Sequence, residues 1–259
     1  MLIVLIQGRQ MKTHKLFESK SHTWLMFGRD DEKKDEIIDT NQYLVISNKN
    51  AVLMDPGGIE LFSSMLSAVI KQLPADKITH IFASHQDPDV ISSLGLWDQA
   101  LPSATLHSPW IWESFIKHFG MNNINYSPIP DEGSSLKIDQ VTLDFIPAHY
   151  LHSSGNFNVY DGEAKILMSG DIGAALESVE APLFVDDFDA HIDKMKMFHQ
   201  RWMPSNEAKN DWVRRVRKLD IDMMCPQHGR IFKGENVTRF LDWFEELEVG
   251  VIPQAISVS

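Results

Sequence analysis

An apolar run, Ile78 to Ala83, gives way at once to Ser84-His85-Gln86-Asp87-Pro88-Asp89, which sets one imidazole and two carboxylates within five positions. A strand held by its sheet and followed by a turn can aim successive side chains at one point, so the segment suits a metal site. The chain repeats this form. Val141 to Pro147 leads into Ala148-His149-Tyr150-Leu151-His152-Ser153-Ser154-Gly155-Asn156-Phe157. Lys165-Ile166-Leu167-Met168 leads into Ser169-Gly170-Asp171-Ile172-Gly173, and Ile221 to Cys225 into Pro226-Gln227-His228-Gly229-Arg230. A single segment of this kind also arises in solvated loops, whereas four in one chain are hard to credit to chance. Imidazole accepts zinc and iron alike, and carboxylate oxygens favour the harder or more highly charged ion.

These segments run from position 85 to 228, so splitting the 259 residues into two domains would split the site. One domain over 1–259 is the expectation. With 43% apolar and 23% charged residues the chain can bury a sizeable core. Its net charge of −12 argues against nucleic acid or an anionic membrane as a partner, because both need a positive surface. The lone cysteine, Cys225, excludes an intramolecular disulfide framework and fits a reducing cytoplasm. Met1 to Ile6 is apolar, too short for a membrane span and has no basic residue before it. Residues 1–10 read as an edge strand, or as a translated leader with Met11 as the start.

Strands are expected over Trp24 to Gly28, Gln42 to Ser47, Ala51 to Asp55, Ile78 to Ala83, Thr105 to His107 and Met223 to Pro226. Val141 to Met168 reads as a meander with turns at His152-Ser153-Ser154-Gly155 and Asp161-Gly162-Glu163. Helical periodicity covers Ile59 to Leu73, Asp89 to Gln99, Trp110 to Phe119, Asp189 to Met203, Asn206 to Leu219 and Gly234 to Glu248. Arg29 to Glu36 reads as a charged loop. Strands then helices, given twice, fit two packed β-sheets with helices outside.

In order and spacing the four segments resemble the metallo-β-lactamase superfamily, with its His-x-His-x-Asp-His, then His, Asp and His. His85-x-Asp87-x-Asp89 looks like the flavodiiron branch, where the second ligand is a carboxylate. His152-Ser153-Ser154-Gly155-Asn156-Phe157 and Ser169-Gly170-Asp171 look most like its stand-alone oxygen-binding diiron proteins. The resemblance extends from Thr40-Asn41-Gln42-Tyr43-Leu44-Val45 to His228-Gly229 and implies an α/β fold, the αββα sandwich of two mixed sheets with helices on the outer faces.

The resemblance also implies a ligand set. His85, Asp87 and the histidine of the middle segment would bind the first metal, Asp89 and His228 the second, and Asp171 would bridge the pair. Both His149 and His152 lie in the middle loop, and His152 matches the family pattern better. His149 is then a partner that orients a ligand, or a ligand of the second metal, since Val90 stands where the superfamily usually has a further histidine. His14, His22, His80, His107, His118, His191 and His199 read as surface or hydrogen-bonded residues, with His22 and Trp24 as a lining of the metal pocket.

The function implied is a non-haem diiron protein with an oxo or hydroxo bridge that binds dioxygen, or nitric oxide, to sense or to reduce it. The chain ends at Ser259, soon after the last metal segment, so no intrinsic FMN is expected and reduction would need an external electron donor. A redox or signalling partner and a homodimer follow by the same resemblance. The alternative is a dizinc hydrolase acting on an ester, thioester or lactam, against which Asp87 and Val90 weigh. No Gly-x-Ser-x-Gly elbow surrounds Ser169-Gly170-Asp171, and Gly57-Gly58 falls short of a dinucleotide fingerprint.

Overall fold

The computed structural model describes residues 11–28 and 38–252. The reading of 1–10 as edge strand or leader, and the whole of the 29–36 loop, lie outside the described residues. The first sheet holds β1 (Lys12–Glu18), β2 (His22–Gly28), β3 (Gln42–Ser47), β4 (Asn50–Met54), β5 (Ile78–Phe82), β6 (Thr105–Pro109) and β7 (Asn125–Ile129), in that spatial order. Pairing is antiparallel from β1 to β4 and parallel from β4 to β7. The second sheet contains β8 (Ser134–Ile138), β9 (Val141–Pro147), β10 (Phe157–Asp161), β11 (Ile166–Gly170), β12 (Met223–Pro226) and β13 (Phe232–Lys233), ordered β13-β12-β11-β10-β9-β8. Only β11 and β12 run parallel there.

Strand side chains alternate between faces, so every central strand feeds two cores. Trp24, Met26, Tyr43, Val45, Val52 and Met54 meet Leu143, Phe145, Val159, Ile166, Met168 and Cys225 between the sheets. The intervening Leu25, Phe27, Leu44 and Leu53 pack outward with Met65, Val69, Leu94 and Trp97 of helices α1 (Phe62–Ile70) and α3 (Leu94–Ala100). Leu167 and Met224 face outward with Met195, Trp212, Phe240 and Phe244 of α5 (Phe188–Trp202), α6 (Asn206–Val216) and α7 (Glu235–Glu246). Three apolar layers separate four structural ones, which is the αββα sandwich. A one-residue slip in any central strand would exchange its two faces, so the register is strongly specified. Cys225 is a wholly buried residue of the inter-sheet core, and burial pushes its thiol up.

Three expected helices are shorter or broken. Ile59–Leu61 is a 3-10 turn and α1 ends at Ile70. The segment 89–99 divides into α2 (Pro88–Ile91) and α3 at Ser92 and Ser93. Their hydroxyls bond instead to the Ile59 N–H (2.9 Å) and the Gly57 carbonyl (2.6 Å), a competition with helix that serine favours. The segment 110–119 contains only the four-residue α4 (Glu113–Ile116) between 3-10 turns. Strands β1, β7, β8 and β13 were not anticipated, and they are the four sheet edges. No helix among the described residues is long and apolar enough to cross a membrane.

Candidate metal centre

The ends of β5, β11 and β12 and the β9–β10 loop meet at one end of the sandwich. A hydrogen bond from the Phe157 N–H to the Ser84 carbonyl (3.1 Å) joins the two sheets there. Pairing of Gly170 with Pro226, and the Gln227 N–H on the Gly170 carbonyl (2.8 Å), set the loops after β11 and β12 side by side. Gly229, at φ +81, lets the second loop press on the first, because a Cβ there would lie 2.8 Å from the Ala175 carbonyl oxygen. The buried carboxylate of Glu177 takes both Nε (3.1 Å) and Nη2 (2.9 Å) of Arg230 and ties the same loops again.

This framework gathers all six residues singled out from the sequence. One atom from each of His85, Asp87, His152 and Asp171 lies within 4.8 Å of the others. Asp171 Oδ2 is 3.6 Å from His85 Nε2 and 2.9 Å from His152 Nε2, and Asp87 Oδ2 is 3.2 Å from His152 Nε2. The other Asp171 oxygen, Oδ1, faces His228 Nε2 at 3.4 Å, which in turn lies 3.2 Å from Asp89 Oδ2. The two oxygens of one buried carboxylate therefore look into two separate sets of side chains. Asp87 caps α2 without accepting a helix N–H, Pro88 occupies the first turn, and Asp89 follows it, so both carboxylates stay directed at the cluster.

The imidazoles are oriented from behind. Ser84 gives its backbone N–H and its hydroxyl to Asp55, each at 2.8 Å. Its Oγ then accepts from His85 Nδ1–H at 2.8 Å, which leaves the Nε2 lone pair for the cluster. His228 donates Nδ1–H to the Asp39 carbonyl at 2.8 Å and likewise turns Nε2 inward. Neither Asp55 nor Ser84 was singled out from the sequence, although Asp55 ends an apolar run just as the six do. Burial pushes the Asp55 carboxyl up to about 6, against the pull of His85 and of the Ser84 hydrogen bonds. His199, which burial holds down at about 4, donates Nδ1–H to the Met195 carbonyl and accepts the Gly173 N–H at 2.9 Å. It steadies the turn that carries Asp171.

Three buried atoms in the cluster have no hydrogen-bond partner: His85 Nε2, His152 Nε2 and Asp171 Oδ1. The 2.9 Å approach of His152 to Asp171 is too misaligned for a hydrogen bond. Orphaned polar atoms are costly when they stand alone, and these converge on common points, as a cation would require. The metal-free electrostatics agree. Burial pulls the His152 imidazole down, but the carboxylates of Asp171 and Asp87 outweigh it and raise the ring to about 10. Burial likewise opposes His228, where Asp171 and Asp89 hold the ring well above its ordinary range. Burial would raise Asp171, yet His85, His152 and His228 keep it well below the usual carboxylate range. Positive charge is stabilised here, and bound metal would displace those protons. The donor set, imidazole and carboxylate, fits iron or zinc.

His149 stands apart from the cluster. Its Nε2 bonds to the Asp131 carbonyl at 2.8 Å and its ring packs on Phe157. Val90 is wholly buried in the outer core of the first sheet and faces away. The expectation that His22 and Trp24 line the pocket is corrected. Both bond to Asp161, at 2.6 and 2.7 Å, at the far end of β10 from Phe157. A residue at the start of β2 reaches that end of the sheet, whereas the pocket lies where β5 stops.

A family model described as ODP family beta lactamase matches residues 38–229. A solved structure described as the peroxy diiron species of chemotaxis sensor ODP is 38% identical, with a TM-score of 0.82 over 92% of this chain and 96% of that one. The apo state of chemotaxis sensor ODP from T. denticola is 36% identical, also with a TM-score of 0.82 and 96% of that chain covered. The flavodiiron protein from Giardia intestinalis shares the fold at 19% identity, with a TM-score of 0.79 over 59% of its length. A nitric oxide reductase of Moorella thermoacetica is 24% identical over 79% of this chain and 53% of its own. An uncharacterized protein of Methanocaldococcus jannaschii is 25% identical over 78% of this chain and 52% of its own. The chain spans about half the length of the curated relatives it matches. With the family model covering most of the sequence, and whole-length likeness to the ODP structures, the chain belongs to the ODP family of β-lactamase-fold proteins.

Proposed function

We propose that this chain is a non-haem diiron protein that binds dioxygen, with His85, Asp87 and His152 holding one iron, Asp89 and His228 the other, and Asp171 spanning both. The observation that carries the reading is Asp171, whose two oxygens face two different sets of ligand-type side chains. Likeness to a chemotaxis sensor ODP with a diiron centre supports it. When bound, a ferrous pair supplies the electrons that dioxygen takes up.

The chain's own residues set the terms of that chemistry. Three carboxylates stabilise the higher iron charge better than an all-imidazole set would, which favours iron over zinc. The Asp55–Ser84 pair and the Asp39 carbonyl fix the tautomers of His85 and His228, so each presents a lone pair without reorganisation. Asp171, His85 and His228 are shielded, with side chains no more than 5% exposed, while Asp87, Asp89 and His152, at 28%, 31% and 15%, form the side of the centre open to solvent.

Nitric oxide belongs to the same reading as a second small ligand, and so does sensing through a signalling partner rather than turnover. A cytoplasmic homodimer of single-domain chains is the form in which we expect it to act. The test is anaerobic purification with metal analysis, then an absorption spectrum before and after air. A pair of irons per chain and a stable visible band on oxygenation is the expected result. Zinc with no spectral change, repeated after iron-supplemented expression, would sink the reading in favour of the hydrolase.

A further inference from the structure

Helix α5 links the metal cluster to the protein surface. Phe198 meets the His152 ring edge-on, with centroids 6.2 Å apart at 88°, and Trp202 follows one turn later at 5.8 Å from Phe198. Phe198 is buried, while Trp202 is 49% exposed, so unbroken ring contact runs from a cluster residue to solvent. Beside these rings, at spacings of three and four, stand Lys194, Met197 and Arg201. Met197 is 65% exposed, and the Arg201 guanidinium lies 5.7 Å from the Trp202 ring. Neither Lys194 nor Arg201 makes an ion pair among the described residues, and the acidic group beside them is the exposed Asp193.

On a chain of net charge −12 this is a local reversal of sign, and it sits where the cluster comes nearest to solvent through aromatic contact. Trp, Met and Arg are the residue types that interface cores favour. An exposed apolar centre flanked by two cations that make no ion pair among the described residues fits an acidic partner. His152, at 15% exposed, is the most accessible of the three cluster imidazoles, and a partner on Trp202 would have two rings, Trp202 and Phe198, between it and that ligand.

We propose that this face of α5 docks an acidic one-electron carrier protein, and that Trp202, Phe198 and His152 form the route by which its electrons reach the metal pair. The proposal rests on the diiron reading. Each encounter oxidises the carrier by one electron and reduces one Fe(III) to Fe(II). Two encounters return a diferric pair to the diferrous state, and no bond to the protein is made or broken.

The test uses an acidic plant-type [2Fe–2S] ferredoxin as the probe. Oxidised ferredoxin should bind the metal-free chain in a salt-sensitive manner, followed by chemical-shift mapping. Lys194→Glu with Arg201→Glu should weaken that binding at least about tenfold, because opposite charge at an interface rim steers encounter. In the iron-loaded chain, stopped-flow reduction by reduced ferredoxin should slow by at least about tenfold in the double variant at low salt. Reduction by dithionite, which needs no docking, should be unchanged. Trp202→Leu should slow ferredoxin reduction while leaving iron content intact. Equal binding and equal reduction rates in the wild type and the double variant would overturn the proposal. So would concentration-dependent self-association that buries Trp202. A chain that takes up no iron would defeat the diiron reading instead, and the metal-free binding experiment would still report on the docking face.

Discussion

Two buried clusters of histidine and aspartate lie at opposite ends of β10, and only one has bonding capacity left over. At the Asp161 end every polar atom is spent. Asp161 Oδ2 accepts from His22 Nε2 and Trp24 Nε1, and Oδ1 accepts from the N–H groups of Glu163 and Ala164, both at 3.0 Å. His22 Nδ1 is taken by Ser21 Oγ at 2.8 Å. At the Phe157 end, two imidazole nitrogens and a carboxylate oxygen remain unpartnered although they are buried. Histidine meets aspartate in both places, once at the Asp161 end and three times over at the other. Saturation is what differs, and it separates a clasp that holds a hairpin to the second sheet from a cluster that needs a cation.

The sharpest way to break this contrast is Asp171→Ala, which removes the atoms facing both ligand sets. The variant should lose the metal pair while retaining its fold, with metal content and circular dichroism as the checks. Two tightly bound metals in that variant would contradict the assignment. Asp161→Ala should do the reverse. Metal uptake should persist, while urea unfolding should show a loss of about 3 kcal/mol, because the four donors that Asp161 satisfies are left without their acceptor. A third buried group extends the series. His80 and His107 share a 3.0 Å hydrogen bond with no carboxylate, and burial first, then His80, pulls His107 down to about 4. Above pH 6.5 this costs nothing. As pH falls toward 4 the unfolded chain takes up a proton that the folded one refuses, so stability should drop by about 3 kcal/mol from this group. His107→Gln should flatten that part of the urea-measured pH profile. The smallest expected effect separates two serines. Ser84→Ala should weaken metal binding by about 10- to 100-fold, the usual effect of losing a group that orients a ligand. Ser21→Ala, which touches only the closed cluster, should leave metal affinity unchanged in the same titration.

The contrast also explains what was legible beforehand. His85, Asp87, Asp89, His152, Asp171 and His228 stood out because each follows an apolar strand, and the structure brings those strand ends together. Asp55 ends a strand too, but with Pro56-Gly57-Gly58 after it the segment reads only as a turn. Its role depends on a contact with Ser84, 29 positions away, that no local pattern encodes. His22 and Trp24 were misplaced for a related reason, since their partner Asp161 lies more than a hundred positions off. Central strands were readable because both faces are buried. Edge strands were not: β1 shows mainly exposed residues, β7 contains Pro128, and β8 begins with two exposed serines.

Asn41 donates its side-chain amide to the carbonyls of both Pro226 and Gly229, two positions after the Asp39 carbonyl that receives His228. Three hydrogen bonds thus tie the stretch entering β3 to the turn presenting His228. Linkage between sites is reciprocal, so whatever displaces that stretch from outside must alter metal affinity, and metal loading must tighten the stretch by the same free energy. The stretch that opens β3 is therefore part of what sets metal affinity, although none of its residues is among the six that face the centre.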